Sequence, residues 1–115
     1  MLQQTTQKVA EQPLDRVVVS LKPWAKSQNR FSLGSVAISG TAAAMLDADE
    51  IGLALSRHLV GDWGEVSDIE KLINDCCVEF GGKLKSAYLS ACGSRYLVIT
   101  DDARETTTVL AESNH

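Results

Sequence analysis

The sequence has no long hydrophobic run. None of its 115 residues lies in a stretch that approaches the ~20 apolar residues a membrane-spanning helix needs. The N-terminus, MLQQTTQKVAEQP, is polar and has no apolar run after its charged residues, so it does not resemble a secretory signal. We therefore expect a cytoplasmic protein with no membrane association.

Cysteine is scarce and is not arranged for metal binding. Cys76, Cys77 and Cys92 form no Cys-x-x-Cys pair, and adjacent residues on a helix point in different directions. We expect reduced, partly buried thiols, no metal site and no cofactor. The chain also lacks a glycine-rich phosphate loop, an H-E-x-x-H motif and a serine nucleophile elbow.

Basic residues are in the minority. Eleven Lys and Arg residues oppose 15 Asp and Glu residues, which gives a formal charge of −4. Proteins that bind nucleic-acid phosphates usually carry a basic stripe, so we expect no nucleic-acid partner, although a small basic pocket is compatible with this balance. A hydrophobic fraction of 44% is ordinary for a globular protein, and the length allows one domain.

The N-terminal third is predicted to contain a tail and two strands. Residues 1–13 are polar and are interpreted as a flexible tail, and residues 14–115 as a single domain. The β-branched run VVVSL at residues 17–21 predicts a short strand. FSLGSVAIS at residues 31–39 predicts a second, with a bulge at Gly34, and the two can pair as a hairpin.

Helical patterns occupy the middle of the chain. Gly40-Thr41 introduces TAAAMLDADEIGLALSRHLV, with Thr41 as the expected cap and a break at residues 47–50. The next helix begins with a capping-box pair, Ser67 and Glu70, and is predicted to end at Gly81-Gly82.

After residue 82 the spacing of apolar residues changes from a helical period to the alternation that is typical of strands. LKSAYLSA at residues 84–91, RYLVIT at 95–100 and TTTVLA at 106–111 predict three strands joined by short connections, hence an antiparallel meander. The expected fold class is α+β, with two to three helices packed on one face of an antiparallel sheet. The expected core joins the apolar stripe of the last helix to strand residues: Ile69, Leu72, Ile73, Cys76 and Phe80 against Tyr88, Leu97, Ile99 and Val109.

The stretch RHLVGDWGEV, residues 57–66, contains several residues of types that can take part in catalysis or binding. Gly61 suits the left-handed position after a helix, and Asp62 and Gly64 suit a turn that lets Trp63 fold back over the core. His58 falls on the apolar face of its helix. Two interpretations of this histidine stay open: a core-edge histidine satisfied by a hydrogen-bond acceptor, or a general base.

Three separated motifs carry a resemblance to a known group of proteins. The pattern R-H-x-x-G-D-W-G, then S-A-Y, then I-T-x-x-x-R-x-x-T-T-V-L resembles a family of small, uncharacterised bacterial proteins found on plasmids and other mobile elements. The resemblance spans residues 31–110 and implies no established activity. The matching positions are Arg57, His58, Gly61, Asp62, Trp63, Gly64, Asn74, Gly81 or Gly82, Leu84, Ser86, Ala87, Tyr88, Ile99, Thr100, Arg104, Thr107, Thr108, Val109 and Leu110.

One functional hypothesis is a binding role. Small acidic proteins can compete for basic surfaces, which favours a non-catalytic accessory protein that acts through a protein partner. Asp62, Trp63 and Arg104 are the candidate binding residues, and the oligomeric state is open.

The alternative is enzymatic. Helices followed by an antiparallel sheet are similar in outline to metal-independent ribonucleases of the barnase-like and bacterial-toxin type. In such a site His58 moves a proton, Arg104 stabilises the developing phosphorane charge, and Tyr88 or Thr107 orients the phosphate.

Overall fold

The computed structural model describes residues 29–112, which form an α+β unit. This confirms the predicted fold class. The tail at residues 1–13 and the strand at residues 17–21 lie outside the described residues. In chain order the elements are β1 (Ser35–Ile38), α1 (Gly40–Met45), α2 (Ala48–Leu59), α3 (Asp68–Phe80), β2 (Leu84–Leu89), β3 (Arg95–Thr100) and β4 (Thr106–Ala111).

The four strands form one sheet in the order β1-β4-β3-β2. Strands β2, β3 and β4 make the predicted antiparallel meander, because their connections are too short for crossovers. Strand β1 pairs with β4 in parallel, with Val36 opposite Thr107 and Ile38 opposite Val109. The sheet is therefore mixed but mostly antiparallel, and β1 and β2 are its two edge strands within residues 29–112.

Strand β1 is shorter than the sequence predicts. Residues 31–34 are not part of it, and Gly34, where a bulge was expected, lies in the irregular segment before the strand with a positive φ of 66°. A Cβ at this position would lie 2.3 Å from the backbone of Glu105. Glycine is therefore required here both for the left-handed conformation and for the close approach to the β3–β4 connection.

The helix boundaries follow local capping chemistry. The expected cap Thr41 is wrong, because Ser39 caps α1 by accepting the amide proton of Ala42. The predicted break between α1 and α2 is confirmed, and Asp47 forms a capping box with Glu50 there. The predicted Ser67 and Glu70 box at the start of α3 is confirmed. None of the helices in residues 29–112 is long and apolar enough to cross a membrane.

Helices α1 and α2 cover one face of the sheet and make the hydrophobic core. Small and branched side chains from these two helices pack against the inward side chains of β2, β3 and β4. Tyr88 and Val109, which the sequence assigns to the core, are both buried, whereas Leu97 and Ile99 point to the other face and are half-buried. The core is formed by Ala42, Leu46, Ile51, Ala54, Leu55, Tyr88, Tyr96, Val98 and Val109.

The expected contribution of α3 to the core is wrong. The apolar side chains that were expected in the core are exposed, with relative solvent exposures of 70% for Ile69, 63% for Leu72, 52% for Ile73 and 87% for Phe80. Cys76, on the same face, is exposed as well. We call this set of five residues the α3 stripe. It faces away from the described part of the protein.

Asn74 explains the orientation of α3. It is the one buried residue of this helix. Its side-chain amide donates to the carbonyl oxygen of Lys85 at 2.8 Å and its Oδ1 accepts from the Lys85 amide at 3.2 Å. Lys85 lies on β2, an edge strand whose outward backbone groups need partners. The helix thus presents the face that carries Asn74 to the sheet edge, and the α3 stripe turns away.

Replacing Asn74 with Ala is predicted to destabilise the fold by about 1–3 kcal/mol, since two backbone groups of the edge strand lose their partners. Glu79→Ala is the matched control on the exposed part of the same helix, and its effect should stay within about 0.5 kcal/mol. Urea unfolding curves measure both. Equal stabilities of the two variants would show that Asn74 does not fix the helix.

Candidate functional site

His58 lies in the last turn of α2 and is fully buried, with 0% of its surface exposed. The helix period places it on the same face as Ile51 and Leu55, which pack into the core. Its ring therefore points at the sheet, towards polar side chains of β2 and β3. A buried imidazole is stable there only if both ring nitrogens have hydrogen-bond partners.

Hydroxyl groups on two strands satisfy the imidazole, and a third hydroxyl extends the chain to another strand. Nδ1 lies 2.5 Å from Oγ of Ser86 on β2, and Nε2 lies 2.9 Å from Oγ1 of Thr100 on β3. Thr100 Oγ1 in turn lies 2.7 Å from Oγ1 of Thr107 on β4. Thr107 donates to the carbonyl oxygen of Leu33 at 2.7 Å. We call Ser86, His58, Thr100 and Thr107 the hydroxyl–imidazole chain.

The last acceptor fixes the position of every proton in this chain. A carbonyl oxygen only accepts, so the hydroxyl proton of Thr107 goes to Leu33. The Thr100 hydroxyl must then donate to Thr107, and it accepts from His58 Nε2–H. In the neutral ring Nδ1 then carries no proton and accepts from the Ser86 hydroxyl. The contacts assign His58 to the neutral Nε2–H tautomer.

Burial also keeps the ring neutral. Desolvation lowers the pKa of His58 from its ordinary value of 6.5 to about 3, and the positive charge of Arg104 adds to this effect. The charged imidazolium would carry a second N–H at Nδ1, but Ser86 would then have to reverse its hydrogen bond. His58 is therefore uncharged throughout the physiological pH range.

Two aromatic rings close the other sides of His58. Phe31 and Trp63 meet the imidazole edge-on, with ring centroids 5.1 Å and 5.5 Å away, and they stack on each other at 6.2 Å. Trp63 is buried and its indole N–H donates to the Asp75 carboxylate at 3.0 Å. Arg30 binds the same carboxylate at 3.1 Å. These two hydrogen bonds lower the pKa of Asp75.

Trp63 also belongs to the segment that protects the edge of the sheet. Its carbonyl oxygen accepts from the amide of Ala87, and the Glu65 amide donates back to Ala87. Gly64 makes this contact possible, because a Cβ there would lie 2.2 Å from the Ala87 carbonyl oxygen. The motif GDWG therefore serves to add a short backbone bridge to β2.

Arg104 binds backbone carbonyl groups. Nη1 donates to the carbonyl oxygens of Gly82 at 2.7 Å and Asp101 at 2.9 Å, and Nη2 donates to that of Cys77 at 2.8 Å. The residue has a positive φ of 60°, the one such non-glycine residue between residues 29 and 112. Arg104 thus joins the β3–β4 turn to the C-terminal end of α3, where a positive charge is favourable.

Tyr88 and Asp62 take part in a third group of contacts. The Tyr88 hydroxyl donates to the backbone carbonyl of Asp62 at 2.6 Å, and the Arg57 guanidinium lies 4.5 Å above the tyrosine ring. Arg57 binds the Asp62 carboxylate with two hydrogen bonds, of 2.8 Å and 3.1 Å. This pairing lowers the pKa of Asp62, and burial raises that of Tyr88.

The candidate catalytic residues lie in separate groups of contacts, and none of them is free. His58 and Thr107 belong to one hydrogen-bond chain, Arg104 is occupied by three carbonyl groups and Tyr88 by a fourth. Of the candidate binding residues, Trp63 is buried, whereas Asp62 is exposed beside Arg57. Such an arrangement can fix three strands to a helix, but it offers no ring nitrogen to a substrate.

Sequence reasoning did not assign the partners of His58. The hydroxyl groups of Ser86 and Thr100 at inward strand positions were the available signal. Asn74 was a second such signal, as a polar residue among apolar helix positions.

No group of three or more potential ligand side chains in residues 29–112 is placed to hold a metal ion. Comparisons of the chain with protein-family models, curated proteins and solved structures found no match.

Replacing Thr100 with Val is predicted to destabilise the protein by about 1–3 kcal/mol, because the His58 Nε2–H loses its acceptor and Thr107 loses a donor. Thr108→Val is the matched control on the opposite face of the neighbouring strand, where it should change the stability by less than about 0.5 kcal/mol. Chemical denaturation monitored by circular dichroism measures both, and similar losses would contradict the assigned chain.

Acid is predicted to destabilise the protein through His58. The unfolded residue binds a proton below its ordinary pKa of 6.5, whereas the folded residue stays neutral down to about pH 3. The contribution of His58 to the free energy of unfolding is therefore full well above pH 6.5. It decreases as the pH drops, by about 2 kcal/mol at pH 5. His58→Gln removes this titration, but it leaves the contribution of the carboxylates to the pH dependence of stability unchanged.

The measurement is the free energy of unfolding at pH 7.5 and at pH 5 for both proteins. The wild type should lose about 2 kcal/mol more than His58→Gln over this interval. Equal losses would mean that His58 titrates in the folded protein as it does in the unfolded one.

Proposed function

We propose that this protein is a non-catalytic accessory protein that acts by binding a protein partner through the α3 stripe. The observation that carries the proposal is the exposure of four large apolar side chains on one helix face. Single exposed apolar residues are ordinary, but a contiguous apolar face is typical of a protein-binding surface. A helix of 13 residues is long enough to present such a face over three turns.

The contacts of the candidate catalytic residues also support a binding role. The ribonuclease hypothesis needs His58 and Arg104 to face a common cleft, where they could reach a phosphodiester. His58 is instead buried among hydroxyl groups, with a pKa lowered to about 3, and Arg104 binds three backbone carbonyls. A base that stays neutral and has no free nitrogen is poorly suited to proton transfer at neutral pH.

The charge of the surface favours a protein as the partner. The exposed residues Asp68, Asp75 and Glu79 border the stripe on one side, as the helix period places them. This border repels nucleic-acid phosphates and attracts basic side chains. An apolar centre with a charged rim is the usual composition of a protein interface. The resemblance to small proteins of mobile elements is compatible with such an accessory role.

The proposal predicts that a charge in the middle of the stripe abolishes partner binding. Affinity capture from the native host, with the wild-type protein, Leu72→Lys and Leu53→Lys as baits, compares two equally exposed leucines, at 63% each, of which only Leu72 is in the stripe. The partner recovered with the wild type should fall at least about tenfold with Leu72→Lys, because burying an unpaired charge is costly.

Leu53→Lys on α2 is the control and should recover the partner as the wild type does. Equal recovery with Leu53→Lys and Leu72→Lys would contradict binding at the stripe. Cleavage of RNA by the purified wild-type protein, lost in a folded His58→Gln variant, would contradict the non-catalytic proposal as a whole.

A further inference from the structure

The α3 stripe has the spacing of a contact between two helices. Ile69, Ile73, Cys76 and Phe80 follow one another at intervals of four, three and four residues. In coiled coils this alternation places side chains in one row, and each of them inserts between side chains of the facing helix. Leu72 lies beside the row, next to Ile73. All five side chains are exposed, so the row is accessible along its whole length.

A helix matches this row better than an extended strand does. At a rise of 1.5 Å per residue, the successive side chains are separated along α3 by about 6, 4.5 and 6 Å. A second helix presents apolar side chains at the same intervals. Side chains on one face of a strand are instead about 6.7 Å apart, so they lose register with the row within three steps. The spacing therefore favours a helical partner.

One flank of the stripe is acidic. Asp68, Asp75 and Glu79 lie on this side of α3, and all three are exposed. Arg30 binds the Asp75 carboxylate at 3.1 Å. Asp68 and Glu79 form no salt bridge with any residue from 29 to 112. Negative charge therefore lies near both ends of the stripe, along the same side.

The opposite flank of the stripe has no comparable excess of charge. The helix period places Glu70 and Cys77 there. The Glu70 carboxylate lies 3.5 Å from the ammonium group of Lys85 on β2, which offsets its charge. Charges across a protein interface are arranged so that opposite signs meet. A partner helix that lies along the stripe must therefore be basic on the flank that meets Asp68 and Glu79.

We infer that the partner of the α3 stripe is an amphipathic helix with an apolar row of the same spacing and with Lys or Arg residues along one flank. This inference rests on the proposed function, because it names the kind of partner that the same surface binds. The α3 helix of a second copy lacks this chemistry. Its one basic residue, Lys71, lies on the side of the helix away from the stripe and cannot meet the acidic flank.

Three synthetic peptides of equal length test the helix and its charge separately. Two have a leucine row with helical spacing, and the positions beside the row carry lysine in the basic probe and glutamate in the acidic probe. The third has the composition of the basic probe with leucine and lysine in strict alternation, which favours a strand. Amide chemical shifts of the nitrogen-15-labelled full chain measure and locate their binding. The basic probe should shift resonances of α3 and bind at least about tenfold more tightly than the other two peptides.

Three variants of the protein locate the contact. Glu79→Lys should weaken binding of the basic probe about threefold and strengthen that of the acidic probe by a similar factor, because one attraction becomes a repulsion. Asp102→Lys, the matched control, makes the same change of charge at an exposed residue of the β3–β4 turn and should leave the preference between the probes unchanged. Leu72→Lys should abolish binding of both probes, since it places a charge against their leucine row.

The inference is overturned if no peptide binds, if the basic and acidic probes bind equally, or if the alternating peptide binds as tightly as the basic probe. A dimer in sedimentation equilibrium that Leu72→Lys dissociates would assign the stripe to a second copy and overturn it as well. None of these results touches the proposed function, provided that affinity capture still distinguishes Leu72→Lys from Leu53→Lys. Preference for the basic probe, with equal capture by these two variants, would contradict the proposed function alone.

Discussion

A buried imidazole with two nitrogens to satisfy is the constraint on which the described fold depends. His58 cannot be exposed without removing α2 from the sheet. It cannot be buried unless the protonated ring nitrogen has a hydrogen-bond acceptor and the other ring nitrogen has a donor. Ser86 and Thr100 supply them, Thr107 extends the chain to a third strand, and the carbonyl of Leu33 terminates it. One helix residue thereby fixes the register of three strands and the entry of the chain into the sheet.

The surrounding contacts protect this polar centre from water. Phe31 and Trp63 cover the imidazole, and Trp63 is itself held by Asp75 on α3. Arg104 closes the same end by joining the β3–β4 turn to α3. Since buried hydrogen bonds strengthen as water is excluded, the aromatic cover and the hydroxyl–imidazole chain reinforce each other. The residues that resemble an active site in the sequence are in this way used for structure.

Local features of the fold could be predicted from the sequence, and long-range ones could not. The capping box of Ser67 with Glu70 and the β-meander depend on residues a few positions apart, so their patterns identify them. The orientation of α3 depends on Asn74 binding the backbone of Lys85, 11 residues away. Its apolar stripe indicated a core position, because amphipathic helices usually bury that face, but the edge strand binds the face that carries Asn74 instead.

The candidate site was predicted in part for the same reason. The sequence singled out His58 and left its role open between a satisfied core residue and a general base. Its partners on β2 and β3 are 28 and 42 residues distant in the chain, and two hydroxyl-bearing strand residues have no local signature. The exposed α3 stripe could not be found from the pattern, since exposure depends on what the fold leaves uncovered.

The most direct test of this account is the tautomer of His58, measured by nitrogen-15 NMR of the imidazole ring in the folded protein. The proton order of the chain predicts a neutral ring with its proton on Nε2 and a bare Nδ1, unchanged from about pH 8 to about pH 5. A proton on Nδ1, or a titration with a midpoint near the ordinary pKa of 6.5, would contradict the structural role assigned to this histidine.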